Sequence, residues 1–472
     1  MLACRFRWVF CQFDFLRRCH PETIPDVLDE LPATLDATYD RTLQDIEEQN
    51  WEHAHLLFQC VAAASRPLYV EELVGFLSFD FQAGPIPKFY ENLRREDPVY
   101  AVLSTCSSLF ALVNTGDSQV IQFSHFSVKE YFMSPRLARA SNITSRRYYI
   151  SMKRAHAIAA RACLGILLHL DENITADTLQ RFPLAEYAAE YWLNHARFED
   201  VSEIVEDGMK QLFDPRKSHL AIWVWIHEPD VPLWDREDRC KEGPIPPRAT
   251  PLHYAALCGF HTIVKFLIIE HLQDVQVQGF NDESTPLHSA SFGGHVEVAL
   301  TLLENGANVI AETFDQLTPL HAASSMGHAK LAWILLEHGA DVTARNEDWE
   351  TPLHMASQHG HVEVVGILLE YGADPQAKDE DGKIPLIHAS QSGHVEVVGI
   401  LLEYGADPQA KGEDGKIPLI HASRSGHQEV PRILFCAMDS NHSISDGPHS
   451  APKGWTPSLD DGDESVVEMD ID

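Results

Sequence analysis

Histidine is the residue type in this sequence with the greatest potential for chemistry. The chain has 26 histidines, and His354, His359 and His361 stand close enough together to suggest a metal site. The helical zinc pattern H-E-x-x-H does not occur, however, and histidines recur at the same two positions in neighbouring stretches of sequence. This recurrence favours structural roles for the histidines over metal binding.

Two further catalytic patterns are missing from the sequence. There is no serine-hydrolase elbow, G-x-S-x-G, and no P-loop, G-x-x-x-x-G-K-[ST]; the stretch from Gly412 to Lys416 has neither the spacing nor the following Ser or Thr. We therefore expect no enzyme activity and no cofactor. A hydrolase is kept as an alternative, which ester turnover lost on changing one Ser would support.

The chain repeats itself from Thr250 onward. Each full unit reads Thr-Pro-Leu-His, small residues, Gly-His, an apolar stretch ending Leu-Leu-Glu, and then Gly-Ala-Asp or Gly-Ala-Asn. The spacing is 35 residues once and then 33, which is the ankyrin period. Six units are predicted, and their first residues are Thr250, Thr285, Thr318, Thr351, Ile384 and Ile417.

The letters of the unit predict a pair of helices. Thr is a good N-cap, Pro fits the first helical position, and Gly327 or Gly360 ends the first helix with a positive φ. One helix pair cannot bury its apolar face alone, so neighbouring pairs stack. Residues 250–436 are therefore predicted to form an α-solenoid with short β-hairpin fingers, in a mainly α chain.

The last two units are almost copies of each other and share departures from the pattern. Replacing the capping Thr by Ile costs on the order of 1 kcal/mol per helix, so this end of the array is predicted to fray first. The replaced positions are Ile384 and Ile417 for Thr, and Ile387 and Ile420 for His, which moves the histidine to His388 and His421; Asp379 in one copy is Gly412 in the other.

Charge and cysteine usage restrict the class of partner. The net charge is −34, but residues 1–170 hold 17 basic against 19 acidic side chains, so the acidity lies further on. An acidic array repels nucleic acid and anionic membranes, and no apolar run reaches the ~18 residues of a membrane span. Nine scattered cysteines without a CxxC pair predict reduced thiols and a cytoplasmic location, with the nucleus as the alternative.

The first half is predicted to hold a winged helix and a helical adaptor. Within residues 1–135, helices precede a hairpin of Phe110–Val113 and Gln119–Phe123 with its turn at Gly116 and Asp117. Residues 136–234 continue as amphipathic helices with a degenerate repeat that should cap the array, and Trp223, Trp225 and Trp234 are expected to be buried there. Residues 235–249 read as a linker and 437–472 as a disordered acidic tail.

Several segments of the first half resemble the region that follows the NTPase in fungal NACHT-ankyrin proteins, which are STAND-type NTPases. These segments are Phe6–Gln12, Val27–Pro32, Arg66–Leu68 with Glu71–Leu73, Leu103–Leu109 and Phe123–Phe132. The resemblance implies a GPI inositol-deacylase-type winged helix and descent from signalling receptors whose repeats sense a ligand. The NACHT domain is missing here, so either the start at Met1 is truncated or the chain is a short paralogue that meets a NACHT-type NTPase in trans.

His125 is the residue to which this resemblance gives a specific role. In such receptors a Phe-x-His-x-Ser motif presents its histidine to the phosphates of bound ADP, which would make His125 a vestigial nucleotide contact. The alternative is a structural histidine just before a helix that Ser127 and Glu130 would cap. The nearby cluster from Arg136 to Arg154 is interpreted as exposed linker charge, with a nucleic-acid-binding regulator as the alternative.

Protein binding is the function that the sequence favours. In ankyrin arrays, partners contact the finger loops and the exposed face of each first helix, where aromatic and Met side chains make good anchors. The predicted function is a non-catalytic interaction scaffold. Its predicted partner-binding residues are Tyr254, Phe292, Met326, Trp349, Met355, Gln358, His359, Gln391 and Arg424.

Overall fold

The structure is a computed structural model that describes residues 34–93, 97–106, 108–116, 118–227, 229 and 243–441. The predicted motifs Phe6–Gln12 and Val27–Pro32, Trp234, residues 235–242 of the predicted linker and 442–472 of the predicted tail lie outside these ranges. Among the described helices, none combines the length and the apolar character needed to cross a bilayer.

The N-terminal part of the described chain, up to residue 133, combines short helices with two small antiparallel sheets. Its three-stranded sheet consists of Leu68–Tyr69, Ser118–Phe123 and Phe110–Thr115 in that order, and Ile121 on the central strand pairs with both Leu68 and Leu112. The predicted hairpin is confirmed, with Gly116 in its turn at a φ of 61°. The elements are α1 Leu35–Gln44, α2 Trp51–Ala63, β1 Leu68–Tyr69, α3 Val70–Gly75, β2 Phe79–Asp80, β3 Lys88–Phe89, α4 Pro98–Cys106, β4 Phe110–Thr115, β5 Ser118–Phe123 and α5 Phe126–Met133.

Aromatic side chains form the core of this unit. Phe58 on α2 stacks on Phe132 of α5 with 4.6 Å between ring centroids, and it contacts Phe110 of β4 at 5.3 Å. The order helix, strand, two helices and hairpin is compatible with a winged helix, and that assignment stays a prediction.

The adaptor is entirely helical in its described part. The long helix Met152–Leu167 packs along the helix Leu184–Ala196, which carries the fully buried Trp192, and Trp223 of a later helix is also fully buried. Trp225 is also buried, so the prediction of core tryptophans is confirmed for both described positions. The helices are α6 Pro135–Ala138, α7 Ile143–Arg146, α8 Met152–Leu167, α9 Ala176–Leu179, α10 Leu184–Ala196, α11 Val201–Ile204, α12 Glu206–Leu212 and α13 His219–His227.

The second half is a stack of six helix pairs, as the repeat period predicts. Each first helix contacts the first helices of neighbouring units, and each second helix contacts the neighbouring second helices. The pairs are α14 Pro251–Cys258 with α15 His261–Ile269, α16 Pro286–Phe292 with α17 Val296–Glu304, α18 Pro319–Ser325 with α19 Ala329–Glu337, α20 Pro352–His359 with α21 Val362–Glu370, α22 Pro385–Ser392 with α23 Val395–Glu403, and α24 Pro418–Arg424 with α25 Glu429–Asn441.

The adaptor covers the open face of the first repeat unit. Trp192 stacks on Phe260 with ring centroids 5.5 Å apart, and the Arg197 guanidinium donates to the Cys258 carbonyl at 2.9 Å. A solenoid needs its terminal apolar face covered, and these contacts do so at the N-terminal end.

The array departs from the predictions in two places. The last helix continues to Asn441, so residues 437–441 are helical and the predicted disorder does not apply to them. The fingers are shorter than the predicted hairpins: the described residues hold one isolated bridge, between Gly279 and Ser284, and otherwise tight turns.

Candidate functional site

The first histidine of a repeat unit joins its unit to the next one. In the third unit, His321 Nδ1 accepts from the Thr318 backbone N–H at 3.1 Å and lies 2.9 Å from the Thr318 hydroxyl oxygen. The hydrogen of a neutral ring must then be on Nε2, which donates at 3.2 Å to the carbonyl of Glu350, the finger residue immediately before the fourth unit. His253, His288 and His354 make the equivalent forward bond.

The second histidine of a unit binds in the opposite direction. His361 Nε2 donates to the Ser325 carbonyl of the preceding unit at 2.8 Å, and His394 does the same to the Gln358 carbonyl at 2.9 Å. Its ring lies against the glycine that ends the preceding first helix; a Cβ on Gly360 would stand 2.4 Å from His394 Nδ1. The same bond is made by His295, His328 and His427. The recurring histidines thus join the units, as their spacing indicates.

Burial keeps the first histidines uncharged. It lowers the pKa of His253, His321 and His354 to about 4. The hydrogen bonds to backbone carbonyls raise the pKa, but by less than burial lowers it. These side chains are therefore committed to the fold at neutral pH.

Each finger is closed by one bond and tied to the next finger by another. The Asn346 N–H donates to the Glu350 carbonyl at 3.0 Å, and the Glu350 N–H returns a bond to the Asn346 side-chain oxygen at 2.7 Å. The Glu347 N–H then donates to Asp315 of the preceding finger at 3.0 Å. Equivalent links from Phe314, Glu380 and Glu413 make the fingers one connected edge.

The fingers and the ends of the first helices form an exposed surface, which we call the finger–helix surface. Phe292 is 53% exposed, Met326 42% and Trp349 59%. Gln358, His359, Gln391 and Arg424 are also exposed, so seven of the nine predicted partner-binding side chains are open to solvent here.

Two predicted residues do not lie on this surface. Tyr254 is fully buried, because its ring packs against Phe280 at 5.4 Å and Trp223 of the adaptor at 6.3 Å. Met355 occupies the equivalent position in its unit and is half-buried. The prediction for Tyr254 is therefore wrong, since the fourth residue after the start of a unit lies deeper than the seventh and eighth.

Phe314 belongs to the surface although the sequence reasoning did not select it. Its side chain is 70% exposed at a finger. The signal was available, because the equivalent residue in each of the next three units is Glu347, Glu380 or Glu413. An aromatic residue at an otherwise acidic position is not required by the repeat.

Trp349 has a backbone conformation that its side chain does not favour. Its φ is 62°, in the left-handed region, as at the equivalent Glu283 and Gln316 of the preceding fingers, whereas the next two fingers have Gly382 and Gly415 at this position. The Arg345 guanidinium lies 5.5 Å from the centre of the Trp349 ring. Together they line a groove of about 550 Å³ that extends to Lys378 and Lys411.

His125 has a structural role in the described part of the chain. It is the N-cap of α5, and its Nδ1 accepts from the Ser127 backbone N–H at 3.2 Å. The Ser127 hydroxyl lies 2.6 Å from His125 Nδ1 and 2.9 Å from the Tyr39 hydroxyl. The cap is thus His125 itself and not the Ser127–Glu130 box that the sequence suggested.

The basic cluster after α5 is partly neutralised. Arg136 forms ion pairs with Asp36 and Asp40, and Lys153 pairs with Asp200. The Arg147 guanidinium lies over the Trp51 ring, 3.3 Å from its centre. Arg136 and Lys153 are thus paired with carboxylates and Arg147 with an aromatic ring, so these three side chains do not form a continuous basic patch.

Comparison with known proteins agrees with the repeat period. The family model described as ankyrin repeats (3 copies) matches residues 236–313, 309–379 and 375–446. The chain is 30% identical to azaphilone pigments biosynthesis cluster protein L of Monascus ruber, over 60% of this chain and 61% of that protein. It is 39% identical to alpha-latrocrustotoxin-Lt1a of Latrodectus tredecimguttatus over 13% of this chain and 4% of the toxin.

The chain thus spans about three fifths of the length of its Monascus relative. The matched segments coincide with the six helix pairs of the structure, and no closed sheet is among the described elements. The C-terminal half of this chain is an ankyrin-repeat array.

Proposed function

We propose that this chain is a non-catalytic scaffold that captures a protein partner on the finger–helix surface. Ankyrin repeats are typical of protein–protein interaction, and the match to that family supports a protein as the partner. The finger–helix surface is proposed as the binding surface because Phe292, Phe314 and Trp349 are exposed on it. Aromatic anchors of this kind dominate binding energy at protein interfaces.

Trp349 is the observation that carries the proposal. A left-handed backbone costs a non-glycine residue roughly 1–3 kcal/mol, a cost that Glu283 and Gln316 also carry at this position and that Gly382 and Gly415 avoid. Its exposed ring covers little of the core that could offset this cost. Because Glu283 and Gln316 have the same backbone conformation at the equivalent positions, the strain belongs to the repeat; the exposed tryptophan ring is the feature that the repeat does not require and that contact with a partner explains.

The resemblance to fungal NTPase receptors suggests a more specific role. In this proposal the array senses the partner, the N-terminal unit is a winged helix that relays the event, and a NACHT-type NTPase acts in trans. A cytoplasmic location belongs to the same proposal. The name of the Monascus relative places that protein in a pigment biosynthesis cluster and does not define a biochemical step.

Nucleic acid is the weaker alternative as partner. A nucleic-acid surface needs unpaired basic side chains, and Arg136 and Lys153 are held by carboxylates. Salt-dependent binding of DNA by the full chain, abolished by Arg136→Ala, would favour that alternative.

The test compares two faces of the array. Proteins captured by the full chain from an extract of the producing cells are identified, and one is purified for titration. The double variant Phe292→Asp with Phe314→Asp should weaken its binding at least ~30-fold, since hot-spot residues contribute about 2 kcal/mol or more. Thermal melting should stay within a few degrees, because both rings are mostly exposed.

Trp333 supplies the matched control. It is 42% exposed on the second helix α19, away from the fingers, and Trp333→Asp should bind the partner as the wild type does. Equal affinity of the double variant and the wild type would refute the assignment to the finger–helix surface, and so would equal losses in both variants.

A further inference from the structure

Three metal-ligating side chains meet where the fourth and fifth repeat units join. Glu350 comes from the base of one finger, Asp379 from the next finger and His388 from the helix α22. One ligand atom from each lies within 4.8 Å of the other two, and His388 Nε2 is 2.7 Å from Asp379 Oδ2. We propose that these three residues bind a zinc ion.

The spacing of the donor atoms suits such an ion. Bonds of 2.0–2.2 Å in a tetrahedral arrangement place ligand atoms about 3.3–3.6 Å apart; here His388 Nε2 and Asp379 Oδ2 are 2.7 Å apart and no pair of the three ligand atoms is separated by more than 4.8 Å. Zinc would occupy the position of the hydrogen between His388 and Asp379. The neutral imidazole then moves its hydrogen to Nδ1, whereas an imidazolium releases one proton to water.

The repeat does not require a charge at Asp379. Its Oδ1 accepts from the Lys383 N–H at 2.7 Å and so closes the finger, but Asn346 performs the same task in the preceding unit with a neutral amide. Asp379 Oδ2 takes no part in closing the turn and faces His388, where it can bind a cation.

The surroundings favour a cation with an open coordination position. The three residues line a groove of about 360 Å³, room for several waters of about 30 Å³ each. The charged side chains on its described wall are five carboxylates and one lysine: Asp348, Glu350, Asp379, Glu380, Asp381 and Lys383. The ammonium of Lys383 is paired with Asp381. Three protein ligands and a water form the usual open zinc site.

The sixth unit is a natural comparison within the chain. It repeats the fifth almost letter for letter, but the positions of Glu350, Asp379 and His388 are taken by Lys383, Gly412 and His421. The nearest carboxylate to His421 in this unit, Asp414, lies 3.7 Å from its Nε2. One junction therefore has the full ligand set and its copy does not.

The experiment titrates ZnCl₂ into the full chain, freed of metal, by calorimetry. One tight site is expected in the wild type, weakened by more than ~100-fold in Asp379→Asn and in Glu350→Gln, because even outer-shell changes cost 10–100-fold. Asp379→Asn keeps the acceptor that closes the finger, so it should melt like the wild type without metal. Asp414→Asn, the matched control, should bind zinc unchanged.

Cobalt provides a second reading of the same site. Co²⁺ should give the visible absorption of a four-coordinate ion in the wild type and lose it in both ligand variants, and Mg²⁺ should not compete because an imidazole ligand suits it poorly. Zinc bound equally by the wild type and Asp379→Asn, displacement by Mg²⁺, or no tight site at all would overturn the proposal.

Discussion

At the scale of single residues, the histidines of the array are structural bonds with a direction. The first histidine of a unit donates to the next unit and the second to the preceding one, so each junction is closed from both sides. Both donate from Nε2 to a backbone carbonyl. The regular spacing of the histidines suggests metal ligands, but these recurring side chains form hydrogen bonds between repeat units.

Because these histidines must stay neutral, the stability of the array should depend on pH. The folded-state pKa of His321 is about 4, below the ordinary 6.5, so the unfolded chain binds more protons between these values. The stabilisation is complete above pH 6.5 and is lost as the pH falls towards 4. Urea midpoints measured from pH 7.5 to 4.5 should fall accordingly.

The variant His321→Gln removes the contribution of one histidine to this pH dependence. It should lose on the order of 1–3 kcal/mol at pH 7.5 through unpaired groups, and its stability should fall less steeply with pH by up to about 1.4 kcal/mol per pH unit. An unchanged slope between pH 6.5 and 4.5 would show that His321 does not titrate as described.

Two glycines in one repeat unit should respond oppositely to alanine. Gly360 has a φ of 80° and its missing Cβ would meet the His394 ring, so Gly360→Ala should cost at least about 2 kcal/mol. Gly366 lies within α21 with open space around it, and Gly366→Ala should add about 0.5–1 kcal/mol. Denaturant unfolding measures both; a similar loss in the two variants would contradict the contact with His394.

The roles of single residues could be predicted from the sequence where the repeat pattern requires one residue type. Thr318, His321 and Gly327 take the roles that their chemistry indicates. Prediction from the sequence failed at Tyr254, whose burial depends on Trp223 of the adaptor, a residue distant in sequence. It also missed Phe314 and the meeting of Glu350, Asp379 and His388, because both depend on how neighbouring fingers align.

At the scale of elements, the last two units show how a lost cap can be offset. Neither α22 nor α24 has a side-chain cap. In the fifth unit the replacing side chains, Ile384 and Ile387, are buried, whereas Ile420 of the sixth unit is 41% exposed. The two near-copies therefore differ in what covers them.

Amide exchange should reveal this difference. We expect exchange to be fastest in α24, slower in α22 and slowest in α18 and α20, whose N-caps are Thr318 and Thr351. Ile417→Thr should slow exchange in α24 by restoring a cap worth about 1 kcal/mol. Exchange slower in the fifth and sixth units than in the second to fourth would contradict the account.

The finger elements were predicted in place but not in form. Each turn is closed by one backbone pair and tied to its neighbour by one bond, which is too little pairing for regular strands. Sequence spacing indicates where a turn lies, whereas the link from Glu347 to Asp315 exists only because units stack in register.

At the scale of the whole molecule, the adaptor and the array form a continuous helical stack. The adaptor closes the first unit through Trp192 and Arg197, and the finger–helix surface runs along the remaining units. Stability of such a stack is close to a sum of neighbour contacts, so surface side chains can change without loss of the fold. That freedom lets the exposed aromatics serve a partner.

Trp349→Gly tests the central claim most directly, since it gives this finger the glycine that the next two fingers have at the same position, Gly382 and Gly415. With a purified partner, the account predicts binding weakened at least ~10-fold while the melting temperature stays equal or rises as the backbone strain is relieved. Unchanged affinity, or weaker binding that merely follows a lower melting temperature, would contradict the assignment of Trp349 to partner capture.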